Sequence, residues 1–208
     1  MTTRKRYLGG VLLAVLVLTA GCSALLGGGS IEYIASEATV ADGTLSETGY
    51  ESGETKTFNI SETIELGDGN ETEVRISSSL QGYTKTYANG SGYFLALATP
   101  QADGVNPLGE YDREKLIAEA LSRSGEANVT VNEDDLQFVG NQSTTVLETE
   151  TNVSTYTTTE DGTDVLVHAT RVEHGEDYVI AVGVHPESAT EGESDMLAMF
   201  GGIEHDEE

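Results

Sequence analysis

Tyr93-Phe94-Leu95-Ala96-Leu97-Ala98 is continuously apolar and is closed by Thr99-Pro100. A strand with one face in water alternates apolar and polar side chains. A run without alternation reads as a central strand buried on both faces. Proline cannot donate to a ladder, so Pro100 marks where that strand stops.

The sequence upstream shows the contrasting pattern. Phe58, Ile60, Ile64 and Leu66 share one parity, as do Val74, Ile76 and Leu80, which is the signature of half-buried strands. Gly67-Asp68-Gly69-Asn70 supplies the hairpin turn between them. Downstream, Leu136 to Val139, a Gly140-Asn141 turn and a Thr-rich run from Thr144 to Thr158 read as further strand. The last hairpin is Asp164 to Glu173 and Tyr178 to His185, joined by His174-Gly175-Glu176-Asp177. Asp161-Gly162-Thr163-Asp164 and Asp68-Gly69-Asn70-Glu71 offer oxygen ligands but complete no calcium loop, and read as turns.

Two helices interrupt the strands. Asp112 caps the first, whose Leu116, Ile117, Ala120 and Leu121 form an apolar stripe, with Glu119 and Arg123 paired i,i+4 outside and Gly125 at the end. Ser194 is the expected cap of the second, with Met196, Leu197, Phe200 and Ile203 inward. A further helical turn is expected near Leu45 to Tyr50. The fold class is α+β: a mainly antiparallel sheet with two or three packed helices.

The 208 residues suit one domain, read from Ile31 to Ile203, followed by an acidic tail over 204–208. Acidic side chains number 36 against 10 basic, a formal charge of −26. So negative a surface repels a phosphate backbone, which excludes nucleic acid as a partner. The single cysteine excludes an internal disulfide and a zinc–thiolate cluster. Acids are spread along the chain and only four lysines occur (Lys5, Lys56, Lys85, Lys115), the pattern of a halophile's surface. In molar salt the Debye length falls to about 3 Å, so the carboxylates hydrate the surface without repelling one another strongly.

Arg4-Lys5-Arg6 precedes an uncharged run from Tyr7 to Leu26, and Leu18-Thr19-Ala20-Gly21-Cys22 resembles a lipobox. A basic segment, a short apolar segment and small residues before a cut site describe an export signal. The reading is a signal peptide over 1–21, a lipid thioether on Cys22, and a glycine-rich tether over 22–30. An ordinary signal peptide and an uncleaved membrane anchor are the alternatives; all three place the domain outside the cytoplasm. Thr3-Arg4-Lys5-Arg6-Tyr7-Leu8 is similar to a twin-arginine signal with lysine at the second arginine, which leaves the twin-arginine and general secretory routes both open. Removing 1–21 takes away three basic residues and no acidic ones, leaving 7 against 36, or −29.

Few residues point to chemistry. If Glu173 pairs with Tyr178, His168 faces Gly183 and His185 stands on the same sheet face, a diagonal that a metal could bridge only with a third ligand. The expectation is two polar side chains on an exposed or interfacial strand face, with no metal and no cofactor. His174, in a turn, and His205, in the tail, are expected to be solvated. No Gly-x-Ser-x-Gly elbow, HExxH or phosphate loop occurs, so no catalytic residue is assigned. Asn-x-Ser/Thr sequons stand at Asn59, Asn70, Asn89, Asn128, Asn141 and Asn152; Asn70, Asn89 and Asn141, in expected turns, are the candidate glycosylation acceptors.

Leu45-Ser46-Glu47-Thr48-Gly49-Tyr50, Ala98-Thr99-Pro100-Gln101, Asn106-Pro107-Leu108-Gly109, Val172-Glu173-His174-Gly175-Glu176-Asp177 and Gly183-Val184-His185-Pro186 resemble a family of predicted haloarchaeal surface lipoproteins of unknown function. That resemblance implies no activity. The order of buried strand, helix, two hairpins and closing helix is similar to the Mog1/PsbP-like fold, whose members are mostly accessory and assembly proteins. The expected function is a non-enzymatic, lipid-anchored structural, binding or accessory module with membrane lipid and an envelope protein as partners. The alternatives are a small ligand-binding lipoprotein serving a transporter, its pocket lined by Tyr83, Tyr87, Tyr93 and Tyr178, and a hydrolase using His168 and His185.

Overall fold

The computed structural model describes residues 30–65, 71–102, 106–109, 111–125, 131–160 and 162–206. In chain order the elements are β1 (Ile31–Ile34), β2 (Ala38–Val40), α1 (Asp42–Thr48), β3 (Glu51–Ser52), β4 (Lys56–Glu65), β5 (Glu71–Tyr87), β6 (Gly90–Pro100), α2 (Arg113–Ser124), β7 (Gln137–Val146), β8 (Thr149–Glu160), β9 (Thr163–His174), β10 (Asp177–Pro186), α3 (Gly192–Gly201) and β11 (Ile203–His205). This is a mixed α+β fold whose sheet is antiparallel except where β1 runs parallel to β5.

β5 is the hinge of the topology. Val74 to Ser77 pair with both β4 and β1, and Tyr83 and Thr84 pair with both β3 and β6. A strand has two edges, so β3 and β4 lie along one edge of β5, and β1 and β6 along the other. Beyond β6 the order continues β10, β9, β8, β7. The expected register of the last hairpin holds, with Tyr178 opposite Glu173 and Gly183 opposite His168.

β6 lies between β5 and β10 and is covered on both faces, as its unbroken apolar run requires. Leu95 and Leu97 join Leu116, Ile117, Ala120 and Leu121 of α2 in one core. Phe94, Ala96 and Ala98 join Met196, Met199 and Phe200 of α3 in the other. Phe94 and Phe200 meet edge to face with centroids 5.1 Å apart. The Asp112 side chain accepts from the Lys115 backbone N–H (3.0 Å), and Gly125 ends α2 with φ 59°. Such a cap contributes about 1 kcal/mol. Arg123 Nε donates to Glu119 (2.7 Å) as the i,i+4 spacing predicts.

Four local expectations are corrected. Gly140-Asn141 is not a turn: β7 continues through it with a bulge between Phe138 and Gly140, and the chain reverses at Leu147-Glu148. The residue before α3 is Glu191; Ser194 sits inside the first turn and its hydroxyl donates to the Glu191 carbonyl (2.8 Å). Met199 is fully buried where Leu197 is only half-buried, and Ile203 belongs to β11 rather than to the helix. The segment expected as a tail begins with Glu204 and His205 paired to Thr39 and Ala38 of β2. Leu66 and the Gly67–Asn70 turn lie outside the described residues.

Two glycines let α3 approach the sheet. A Cβ on Gly183 of β10 would sit 2.2 Å from Met196 Sδ, and one on Gly192 would sit 2.2 Å from His185 Nδ1.

Candidate functional site

The histidines that sequence places on one strand face are neither exposed nor interfacial. His168 is 4% and His185 1% exposed, because α3 covers that face. Their Nε2 atoms are 3.0 Å apart. The rings are within 11° of parallel, with centroids 5.1 Å apart. That is about two ring radii more than the nitrogen separation, so the imidazoles meet end to end rather than face to face.

Hydrogen-bond complementarity fixes the protons. His185 Nδ1 lies 2.9 Å from the Pro186 carbonyl, which can only accept, so this nitrogen carries hydrogen. Nε2 of neutral His185 is then an acceptor, and His168 Nε2–H donates to it. His168 Nδ1 in turn accepts from the Thr155 hydroxyl (3.1 Å). Every polar ring atom is satisfied when both rings are neutral. A further proton on His185 Nε2 would set two N–H groups against each other, and one on His168 Nδ1 would require the Thr155 hydroxyl to turn and accept. Burial lowers the pKa of both, His168 to about 4, with the neighbouring ring adding to the effect on His168.

This geometry answers a chemical question. Thr155, His168 and His185 stand in the order of a hydroxyl, a base and an orienting group. The base is too weak for neutral pH, its orienting partner ends on a backbone carbonyl instead of a carboxylate, and both rings lie under a helix. The row is enclosed, with both rings buried and its far end on the Pro186 carbonyl.

Beside it, Asp195 of α3 receives two donors from β5: Lys85 Nζ at 2.5 Å and the Tyr87 hydroxyl at 2.9 Å. Tyr50 reaches the Tyr87 oxygen at 3.2 Å. Burial raises both phenols well above the usual tyrosine range. Sequence reading missed this cluster, although Lys85, one of four lysines in so acidic a chain, was an available signal.

A second imidazole row joins the two ends of the described chain. Asp177 Oδ2 accepts from the Ser36 backbone N–H (3.0 Å) and from His205 Nε2–H (3.1 Å). His205 Nδ1 lies 3.0 Å from His174 Nδ1, within hydrogen-bond distance. The His205 side chain is 1% exposed, so the expectation that His174 and His205 are solvated is corrected: His205 is enclosed and His174 half-buried. Burial raises the Asp177 pKa, opposed by the Ser36 N–H and His205. These rings flank an open depression that also touches Thr144, Leu147 and Ile203. Among the described residues, no three His, Cys, Asp or Glu side chains converge so as to hold a metal ion.

The four tyrosines proposed for a ligand pocket are divided between the two sheet faces. The Tyr83 hydroxyl accepts from the Val40 backbone N–H (2.7 Å) within the α3-side core, and Tyr87 faces Asp195. Tyr93 packs on the α2-side core, and Tyr178 lies against Gly109 and under Arg171. They line no common cavity.

Asn89 lies in the two-residue turn between β5 and β6 and is exposed; Asn141 is exposed on β7, its Oδ1 accepting from Ser154 at 2.7 Å. Cys22 and Asn70 lie outside the described residues. Residues 37–204 match the model of a family described as Domain of unknown function (DUF6517), and the chain belongs to that family. No curated protein matches the chain.

Proposed function

We propose that this DUF6517 member is a lipid-anchored, extracytoplasmic module of a halophile's envelope, held to the outer face of the cytoplasmic membrane through Cys22. It acts by binding or assembly rather than by catalysis. One observation carries the reading: the only cysteine of 208 residues stands at the end of Leu18-Thr19-Ala20-Gly21-Cys22, behind an uncharged run and a basic cluster. The first strand begins at Ile31, nine residues beyond Cys22, so a tether of at most about 30 Å separates the lipid from the body. The acidic surface suits molar salt, where surface charges are screened within about 3 Å. The likeness to Mog1/PsbP-like proteins rests on the order of buried strand, helix, hairpins and closing helix, and it supports an accessory role. Acidic character, export and tethering together describe a protein whose partners are a membrane and another envelope protein.

The test is Cys22→Ser expressed in a halophilic host at native salt. The variant is expected in the soluble extracytoplasmic fraction, and the parent in the membrane fraction with a lipid mass on Cys22. A variant that remains wholly with the membrane overturns lipid anchoring.

A further inference from the structure

An asparagine followed by glycine is open to one intramolecular reaction, attack of the glycine backbone nitrogen on the asparagine side-chain amide. Glycine brings no Cβ to obstruct the approach and has the most backbone freedom to make it. Asn89-Gly90 is the one such pair among the 208 residues.

The structure separates Asn89 from the other asparagines. Asn106 is buried and donates to Thr99 and Pro100, Asn132 donates to Asp135, and Asn141 accepts from Ser154. Asn59, Asn89 and Asn152 are exposed and hold no side-chain hydrogen bond among the described residues. Asn59 and Asn152 lie within β4 and β8 and precede β-branched Ile60 and Val153, which crowd the approach. Ile60 and Val153 are also paired in ladders, opposite Ile76 and Gln142. Asn89 instead lies in the two-residue turn between β5 and β6, closed by the Tyr87–Gly90 pair. The tip of a hairpin is where local opening costs least.

The fold also keeps the glycine in place. Gly90 has φ 147°, and a Cβ there would lie 3.0 Å from Pro186 Cγ. A residue bulky enough to shield Asn89 is therefore disfavoured at position 90 both by the backbone angle and by β10.

We propose that Asn89 is a site of spontaneous succinimide formation, by which the turn acquires a carboxylate and, in part, an isoaspartyl linkage. The Gly90 nitrogen bonds to Asn89 Cγ and gives up its proton, while the Cγ–Nδ2 bond breaks and ammonia leaves. Water then opens the ring. Opening at Cγ yields aspartate; opening at the main-chain carbonyl carbon leaves the chain running through Cγ, with one carbon more in the backbone. The balance is one water consumed and one ammonia released, with no oxidant or reductant.

The extra carbon falls in the turn that sets Tyr87 opposite Gly90. Tyr87 packs so closely on β6 that a Cβ on Gly92 would sit 2.5 Å from its ring, and its hydroxyl donates to Asp195 of α3. Conversion thus loosens both the hairpin tip and its tie to α3. A glycan on the Asn89 sequon would occupy the same nitrogen, so the two modifications compete for one amide.

The experiment stores the purified full chain carrying Ser91→Ala in heavy-oxygen water at mildly alkaline pH and molar salt, and maps its peptides by mass. Ser91 is exposed, and its replacement removes the sequon while keeping Asn89-Gly90. Asn89 is expected to exchange its amide for a labelled carboxylate at least about tenfold faster than Asn59 or Asn152, whose successors are β-branched. Part of the product is expected to be isoaspartate, detected by isoaspartyl methyltransferase; loss of the amide distinguishes it from rearrangement at Asp-Gly pairs. The unfolding midpoint of the stored chain is expected to fall. Asn89→Gln, which would have to close a larger ring, is expected to abolish the exchange and to hold its midpoint through the same storage. An unconverted Asn89, equal conversion at the three asparagines, aspartate as the sole product, or an equal fall in the Asn89→Gln midpoint would each overturn the proposal.

Discussion

His168 and His185 share a single hydrogen between Nε2 atoms 3.0 Å apart, in a row that begins at the Thr155 hydroxyl and ends at the Pro186 carbonyl. Both rings are neutral in this row, and burial, which disfavours the charged form, lowers both pKa values. As pH falls, the unfolded chain therefore takes up protons before the folded one. The row's contribution to stability is complete above the unfolded histidine value near 6.5, declines as pH drops towards about 4, and is lost below that. For His168 the shift corresponds to about 3 kcal/mol at most. Denaturant unfolding between pH 7.5 and 4 at fixed molar salt should show this fall, and His168→Gln, which can still donate and accept, should make it shallower. An unchanged slope in the variant would assign the acid sensitivity to carboxylates elsewhere.

Contact between α3 and the sheet depends on what Gly192 leaves empty. His185 is held at both nitrogens and cannot yield to a Cβ 2.2 Å away, whereas Met196, at the same distance from a Cβ on Gly183, has a flexible side chain. Gly192→Ala is expected to destabilise by about 2–3 kcal/mol and Gly183→Ala by about 1–2, within the range for overpacking. Gly43→Ala, in α1 with no atom within 4 Å of its Cβ, should stabilise by up to about 1 kcal/mol through helix propensity. Thermal melts of the three variants order them. A harmless Gly192→Ala would contradict the close approach of α3 to His185.

Asp195 is 13% and Lys85 17% exposed in their side chains, and they touch at 2.5 Å. Water and salt reach such a pair poorly. Asp195→Asn removes the charge that answers Lys85 while keeping an acceptor for Tyr87, and is expected to cost about 2 kcal/mol, below the value for a fully buried pair. Because the contact is shorter than the Debye length even in molar salt, the loss should persist at high salt. Unfolding measured at low and at molar salt separates the cases. A loss that disappears in molar salt would mark the pair as an ordinary surface contact.

What the sequence disclosed followed from short-range rules. The burial of β6 on two faces was legible because absence of alternation is a local property, and the β9–β10 register was legible because Gly175 and its neighbours fix the turn. The cap and stripe of α2 were readable for the same reason. The misplaced turn at Gly140-Asn141 shows the limit: glycine followed by asparagine signals reversal, yet here the glycine belongs to a bulge, and the true turn uses residues with no turn preference. Burial of His168, His185 and His205 could not be read at all. It depends on α3 and β11 returning over β10 and β2, contacts between segments far apart in sequence. Cys22 and Asn70 were read from motifs alone.

That unexpected turn is itself under strain. Leu147 and Glu148 have φ of 50° and 60°, the left-handed region in which a side chain bearing Cβ is disfavoured by about 1–2 kcal/mol per residue. With Val146 opposite Thr149, they form the two-residue loop in which Asn-Gly is favoured. Leu147 has a compensating contact, since it packs half-buried against the α3-side core. Glu148 is exposed and has no comparable packing to lose. Glu148→Gly should therefore stabilise the domain by about 0.5–1 kcal/mol, the relief being partly offset by the greater freedom of glycine in the unfolded chain. For a domain of this size that is a rise of about 1–4 °C in the unfolding midpoint. Leu147→Gly should lower it, because the lost apolar contact outweighs the same relief. Opposite signs from adjacent residues would separate backbone strain from packing; a fall in both would mean that the Glu148 backbone is not strained.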